Sequence, residues 1–232
     1  MKAYVITLTD NELSTDAAAN VIKSSVVHEN EFSIETFDAT IPEQVNDEMT
    51  LYGLTWNWPW ETHVRDIASG LTKTPYLTAN KNKRIACFLS HYRLWKSCVN
   101  MNESLLVLEH DAKFIKQLKI EDLENSKYDV IGINDPRKAT RKSQMYHDAV
   151  QQQRGVVVDC PKIDMDIIAQ GLAGNSAYYI KPKGAQKLID LVDEFGAWPN
   201  DAIMCRQLMP NKLGQLKKYC TTVQPVQSTT KT

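Results

Sequence analysis

Apolar residues along this chain fall into short blocks separated by polar stretches, and the period inside each block predicts its element. The first block, "AYVITL", is of buried-strand type and breaks at "TDN". The alanine-rich "TDAAANVIKSS" that follows predicts a helix. In "FSIETFDA", Phe32, Ile34 and Thr36 alternate with Ser33, Glu35 and Phe37, which predicts a second strand. Strand, helix, strand at the start of a chain favours a parallel α/β sheet. Further on, "KRIACFLSHYRLWKSCV" repeats Ile85, Phe88, Leu89, Tyr92 and Trp95 at helical spacing, an amphipathic helix of about four turns. Residues 105 to 108 read as a buried strand, and so does "YDVIGIND", which ends in Asn134 and Asp135. "GVVVDC" and "GNSAYYI" predict two more strands. "KPKGAQKLIDLVDEFG" predicts a helix, with Pro182 in its first turn and Gly196 as its stop. "WPNDAIMCRQLM" starts another helix, with Asn200 or Asp201 near its N-terminus, and one short strand precedes a polar end.

Two regions escape this pattern. Residues 42 to 82 are irregular and carry "LYGLTWNWPWE", with Trp56, Trp58 and Trp60 at every second position. Gly53 and Pro59 argue against a long regular element there. The indoles either pack on the domain as a loop lid or form an aromatic platform for a sugar. Residues 136 to 154, with "QQQ" among them, read as an exposed polar excursion. No repeat and no linker appears, so residues 1 to 232 are expected to form a single α/β domain on a mixed, mostly parallel sheet flanked by helices.

Composition narrows the field by exclusion. With 232 residues, 43% of them hydrophobic, the chain can bury a core. A formal net charge of −1 offers no basic face, so no nucleic-acid partner is expected. The one basic cluster, "RKATRK" at 137 to 142, is either a surface loop or a contact to a phosphate or an acidic acceptor. No window approaches the roughly 18 apolar residues of a transmembrane segment, and "MKAYVITLTD" suits a first strand better than a secretory signal. Five scattered cysteines without a CxxC pair read as free thiols, hence a reducing, cytoplasmic location.

The chemistry lies in "SLLVLEHDAKF". Side chains alternate along a strand. If strand geometry persists to residue 111, Val107, Glu109 and Asp111 face one way, and Leu106, Leu108 and His110 the other. The two carboxylates then share a face about 7 Å apart, at ~3.3 Å per residue. In open α/β sheets ligands bind beyond the carboxyl ends of strands. A pair of acids delivered there suits a hard divalent cation, with water and substrate phosphate completing the shell, which is how a departing diphosphate is neutralised. The plainer alternative is a strand surfacing into solvent.

The pieces, in order, resemble glycosyltransferase family 25, the family of lipooligosaccharide and collagen galactosyltransferases. "YVITLTD" and "FDA" resemble its first two strands, "IACFLSHYRLW" its "IGCxLSHxxxW" helix, and "LLVLEHDAKF" its "LVLEDD" strand. "GNSAYYIKPKGAQKLI" resembles a later strand and helix, "PND" at 199 to 201 an acid before a helix, and "PVQS" its C-terminal segment. The resemblance implies a GT-A-type nucleotide-diphospho-sugar transferase fold and a UDP-sugar donor. It also implies Mn²⁺ or Mg²⁺, and inverting transfer of a galactose-like sugar to a hydroxyl of a glycan or glycoconjugate, as in lipopolysaccharide biosynthesis.

Carried onto this sequence, the resemblance makes Asp111 the metal ligand that bridges the diphosphate. Glu109 binds ribose or completes the metal shell through water. Thr7, Leu8 and Thr9 hold base and ribose, and Ser90 and His91 contact the nucleotide. Asp201 is the candidate base for the acceptor hydroxyl, against a plainer role as helix cap. Apart from the resemblance, Asn134, Asp135 and Asn175, at other strand ends, and Trp58, in a tryptophan set with no family counterpart, are placed on the acceptor side. Three departures stand out. His110 replaces the middle acid of "EDD", the family's arginines after the first strand are absent from "NELSTDAAAN", and no histidine follows His147. The first two leave open a catalytically silent relative that only binds a nucleotide sugar or glycan. A nucleotidyltransferase would need a glycine- and lysine-bearing phosphate loop, which "TLTDNELSTD" lacks.

Overall fold

The computed structural model describes residues 1–76, 78–138 and 142–225. Strand β1 (Lys2–Thr7), helix α1 (Glu12–Val27) and strand β2 (Ile34–Asp38) open the chain. Helix α1 starts ahead of the alanine-rich stretch because the Asn11 side chain accepts a hydrogen bond from the Ser14 N–H at 3.0 Å. Then follow α2 (Val45–Leu51), the two-residue strands β3 (Val64–Arg65) and β4 (Thr72–Lys73), α3 (Lys81–Met101) and β5 (Leu105–Glu109). The second half contains β6 (Ala112–Phe114), α4 (Ile120–Glu124), β7 (Val130–Gly132), α5 (Ser143–Gln152), β8 (Val157–Asp159) and β9 (Ala177–Ile180). It finishes with α6 (Pro182–Phe195), the single turn α7 (Asn200–Ile203), β10 (Leu213–Leu216) and β11 (Thr221–Val223).

A seven-stranded sheet in the order β2-β1-β5-β9-β7-β10-β8 forms the centre. β1 runs parallel to β2 and β5, and β10 parallel to β7. β9 is inserted antiparallel between β5 and β7, and β8 is antiparallel to β10 at the edge. Five strands therefore point one way, the mixed, mostly parallel α/β sheet expected from the hydrophobic pattern. Alternation along β5 divides the core. Leu105 and Val107 pack with α3 and α6, while Leu106 and Leu108 pack with α1. Helix α6 lies close enough to the sheet that a methyl group on Gly184 would sit 2.7 Å from the Asp129 carbonyl. Gly184→Ala should therefore cost about 1–3 kcal/mol by overpacking. That lowers the melting temperature by roughly 3–10 °C, which a thermal melt measures.

Two expectations need correction. Residues 136 to 154 are not an exposed excursion. They contain a 3-10 turn (Pro136–Lys138) and α5, whose Tyr146 and Val150 are buried in the core. Their polar side chains cover only the outer face of α5. Ala139, Thr140 and Arg141 of the basic cluster lie outside the described residues, as do the last three residues of "PVQS". Helix α3 is longer than four turns and is buried round most of its girth. The reason is the segment 42 to 82, which folds over its outer face through α2 and a set of aromatic contacts. Trp56 meets Phe88 edge-on at 6.1 Å, and Tyr52 meets Tyr92 at 5.5 Å. Buried Lys73 pins this segment. Its ammonium pairs with Asp66 at 2.9 Å, donates to the Asn57 carbonyl at 2.8 Å and lies 4.2 Å over the Trp198 ring. Among the described residues no helix is long and apolar enough to cross a membrane.

Candidate active site

Strand β5 is fully buried over Leu105–Leu108 and emerges at Glu109, whose side chain is 32% exposed. Its neighbours in the sheet end with it. Glu109 pairs in register with Ile6, one residue before the end of β1, and its N–H donates to the Ser176 carbonyl at 2.8 Å. Strand geometry stops at Glu109, and residues 110 and 111 form a turn into β6. His110 turns toward α1, where Nδ1 lies 3.0 Å from the Ser14 hydroxyl. The Ser14 oxygen also accepts the Leu8 N–H at 2.9 Å. Asp111 is held from behind by Gln224, whose N–H donates to the Asp111 carbonyl at 2.7 Å and whose side-chain amide reaches the His110 carbonyl at 2.8 Å.

A cavity of about 600 Å³ opens beside Glu109. Its wall includes Trp58, Tyr76, Arg84, Cys87, Asn175 and Asp201. Asp201 lines the cavity with its side chain exposed toward it, and no side chain caps the short helix on which it sits. Instead its carboxylate accepts the Tyr76 hydroxyl at 2.9 Å. The Arg84 guanidinium lies 4.8 Å over the Tyr76 ring. Burial raises the Asp201 pKa above the ordinary carboxylate value. The Glu109 charge adds to the rise, while the Tyr76 hydrogen bond and the Arg84 charge oppose it. Burial also pushes Asp111 up, to about 7. The negative charge of Glu109 contributes, and the Ser176 hydroxyl partly offsets it.

Three buried polar groups here are unsatisfied. Asp111 Oδ1, Arg84 Nε and both amide atoms of Asn175 have no hydrogen-bond partner among the described residues. Buried polar atoms are rarely left so, and those of Arg84 and Asn175, both on the cavity wall, mark a place that a ligand completes, while Asp111 lies off that wall. Two adjacent carboxylates, one with an orphaned oxygen, fit a hard divalent cation. Cys87, His91 and Glu109 also bring potential ligand atoms within 4.8 Å of one another. Burial raises the Cys87 thiol, so an ion held there would have to displace its proton.

The structure thus gathers Glu109, Asn175, Asp201 and Trp58 on one cavity, with Asp111 beside Glu109. Trp58 is buried, donates its indole N–H to the Thr74 carbonyl at 2.9 Å and packs on Trp198 at 5.3 Å. Trp56 and Trp60 stack on each other at 5.3 Å. Thr7, Leu8 and Thr9 lie at the adjoining end of β1, off the cavity wall, and the Thr7 hydroxyl donates to the Val5 carbonyl at 3.0 Å. The remaining expected residues have their polar groups engaged inside the protein. Ser90 Oγ accepts the Thr40 N–H and donates to the Ala86 carbonyl, each at 2.9 Å. His91 is bonded through both ring nitrogens, to Tyr178 and to Glu109. The Asn134 amide is taken up by the Asp135 carbonyl and the Thr221 hydroxyl. Arg84, Cys87 and Tyr76 were not foreseen. The first two had a signal: positions 84, 87 and 91 form a polar i, i+3, i+7 stripe alongside the apolar positions of the helix.

A sheet whose strand ends bring acids and orphaned polar groups to one deep cavity is the layout of an α/β enzyme, with its ligand held beyond the carboxyl ends of the strands. The family model described as glycosyltransferase family 25 (LPS biosynthesis protein) matches residues 1–204. The chain belongs to this family and is a glycosyltransferase. Solved structures with a similar course of the chain include a galactosyltransferase, LgtC, in complex with donor and acceptor sugar analogs. It is 11% identical, with a TM-score of 0.44, over 93% of this chain and 73% of that one. The glycosyltransferase GlyE of Streptococcus pneumoniae TIGR4 is 13% identical, with a TM-score of 0.41, over 93% of this chain and 44% of its own. Mouse xyloside xylosyltransferase 1 is 8% identical, with a TM-score of 0.44, over 93% and 84%. No curated protein sequence matches the chain.

Proposed function

We propose that this protein transfers a galactose-like sugar from a UDP-sugar to a hydroxyl of a glycan or glycoconjugate, with inversion and with Mn²⁺ or Mg²⁺ as cofactor. The observation that carries the reading is that Asp201 lines the same cavity as Glu109, its carboxyl raised by desolvation and aligned by the Tyr76 hydroxyl. Asp201 takes the proton of the acceptor hydroxyl as that oxygen bonds to the anomeric carbon. The bond from that carbon to the donor diphosphate breaks, and the diphosphate departs with the electron pair. Asp111 and Glu109 would hold the ion, which when bound neutralises charge on the diphosphate. Asn175 and the Trp58 edge of the cavity receive the acceptor. Thr7 to Thr9, at the neighbouring strand end, take base and ribose. Of the other donor residues proposed from the resemblance, Ser90 and His91 reach the nucleotide only through the elements they brace. Asn134 likewise acts through β11 on the acceptor side.

The change from acid to His110 bears on α1 and not on the cavity, so it gives no reason to expect a silent relative. Five unpaired cysteines, four of them buried, support a reducing, cytoplasmic setting. Thermal melts with Mn²⁺ and a panel of nucleoside diphosphates test donor binding. UDP with Mn²⁺ at a hundred times Kd should add about 2.7 kcal/mol, a rise of roughly 5–10 °C. No shift with any nucleoside diphosphate would sink the reading.

A further inference from the structure

Behind Glu109 three buried side chains form a hydrogen-bonded file. Trp95 Nε1 lies 3.0 Å from the Tyr178 hydroxyl, that hydroxyl 2.8 Å from His91 Nδ1, and His91 Nε2 3.2 Å from Glu109 Oε1. Trp95 and Tyr178 are 0% exposed and His91 is 1% exposed. None of the three lines the cavity.

Counting protons gives the file a direction. An indole N–H can only donate, so the Tyr178 oxygen accepts from Trp95. The phenol has one proton, and burial keeps it there. Among the described residues, the only other group within hydrogen-bond reach of that hydroxyl is His91 Nδ1. Nδ1 is therefore the acceptor, and the neutral ring carries its hydrogen on Nε2, where it is donated to Glu109. The opposite tautomer would leave the phenol proton buried without an acceptor and set an imidazole lone pair against a carboxylate, both unfavourable.

We propose that Trp95, Tyr178 and His91 are positioning residues that select one imidazole tautomer and thereby anchor one oxygen of Glu109, leaving the other for the ligand in the cavity. The arrangement also withdraws His91 from the Cys87–His91–Glu109 cluster, because a protonated Nε2 has no lone pair for a metal. The functional half rests on the donor and metal role proposed for Glu109; the tautomer does not.

Long-range ¹H–¹⁵N correlation spectra of the full chain at pH 8 should show His91 with Nε2 protonated and Nδ1 as acceptor. Tyr178→Phe removes the donor to Nδ1. It should shift the ring toward the Nδ1-protonated form and weaken Mn²⁺ binding, titrated by calorimetry, by about 10-fold, the low end for a residue that orients a metal ligand. His91→Gln, which can still donate to Glu109, should retain Mn²⁺ affinity better than His91→Leu. A wild-type ring protonated on Nδ1 overturns the proposal whether or not Mn²⁺ binds. So does a folded Tyr178→Phe protein with unchanged tautomer and unchanged Mn²⁺ affinity. If the wild type binds no Mn²⁺, the metal assignment of Glu109 fails and the spectra still decide the tautomer.

Discussion

Asp201→Asn should lower kcat by about 10²- to 10⁴-fold, the usual contribution of a general base, and leave the donor KM nearly unchanged. The substitution keeps the shape of the side chain, and its amide oxygen can still accept the Tyr76 hydroxyl that Asp201 accepts at 2.9 Å. Steady-state rates with donor and acceptor varied separately measure the split. Retention of turnover within tenfold would remove Asp201 from the role. The pH profile adds a sign. A base must be ionised, so kcat/KM rises with pH through the Asp201 ionisation, which burial places above the ordinary carboxylate value. The Arg84 charge lowers that ionisation. Arg84→Gln should therefore move the rising limb to higher pH. A limb that stays put or moves down would contradict the electrostatic arrangement.

Asp111→Asn should have opposite effects on stability and on binding. The Asp111 carboxyl stands at about 7 in the folded protein, against ~3.9 in an unfolded chain. The folded state therefore binds the proton more tightly, and stability falls as pH rises from about 4 to 7. Above that range the ionised, half-orphaned carboxylate costs on the order of 2–4 kcal/mol. Without metal, the asparagine protein should melt about 4–16 °C higher than the wild type at pH 8, and the gain should vanish near pH 4. At the same time the Mn²⁺-dependent stabilisation by UDP should disappear. Melts from pH 4 to 8, with and without Mn²⁺, test both halves. An asparagine protein that melts lower than wild type at pH 8 without metal would show that Asp111 is structural.

Much of this arrangement was legible in the sequence. Period-2 and helical spacing found β1, α1, β2, α3 and β5, because each buries one apolar face and writes it into the residue pattern. The same alternation put Glu109 and His110 on opposite sides of the strand, and their partners, His91 and Ser14, lie on opposite layers. What stayed hidden was set by contacts between distant segments. Helix α5 looked polar because only a few of its residues, Tyr146 and Val150 among them, reach the core. The aromatic cover on α3 could not be assigned a partner until Trp56 met Phe88. Tyr76 meets Asp201 across 125 positions, a separation at which no local pattern speaks. Asp111 lies in a turn and not in the strand, so the alternation expected to set it on the face of Glu109 does not reach it.

The grip of Gln224 on the acid turn has a consequence for how the site comes into being. Its side-chain amide holds carbonyls 114, 112 and 207 positions upstream, at His110, Ala112 and Ala17. The first strands and helices can assemble from neighbours in sequence, but this clasp closes one of the longest loops in the chain. Such closures come late, because the entropy of bringing the ends together is lost before the contact forms. The acid turn can therefore be fastened after β1 and β2 have paired, so that a partly folded chain does not yet present the finished pair of acids.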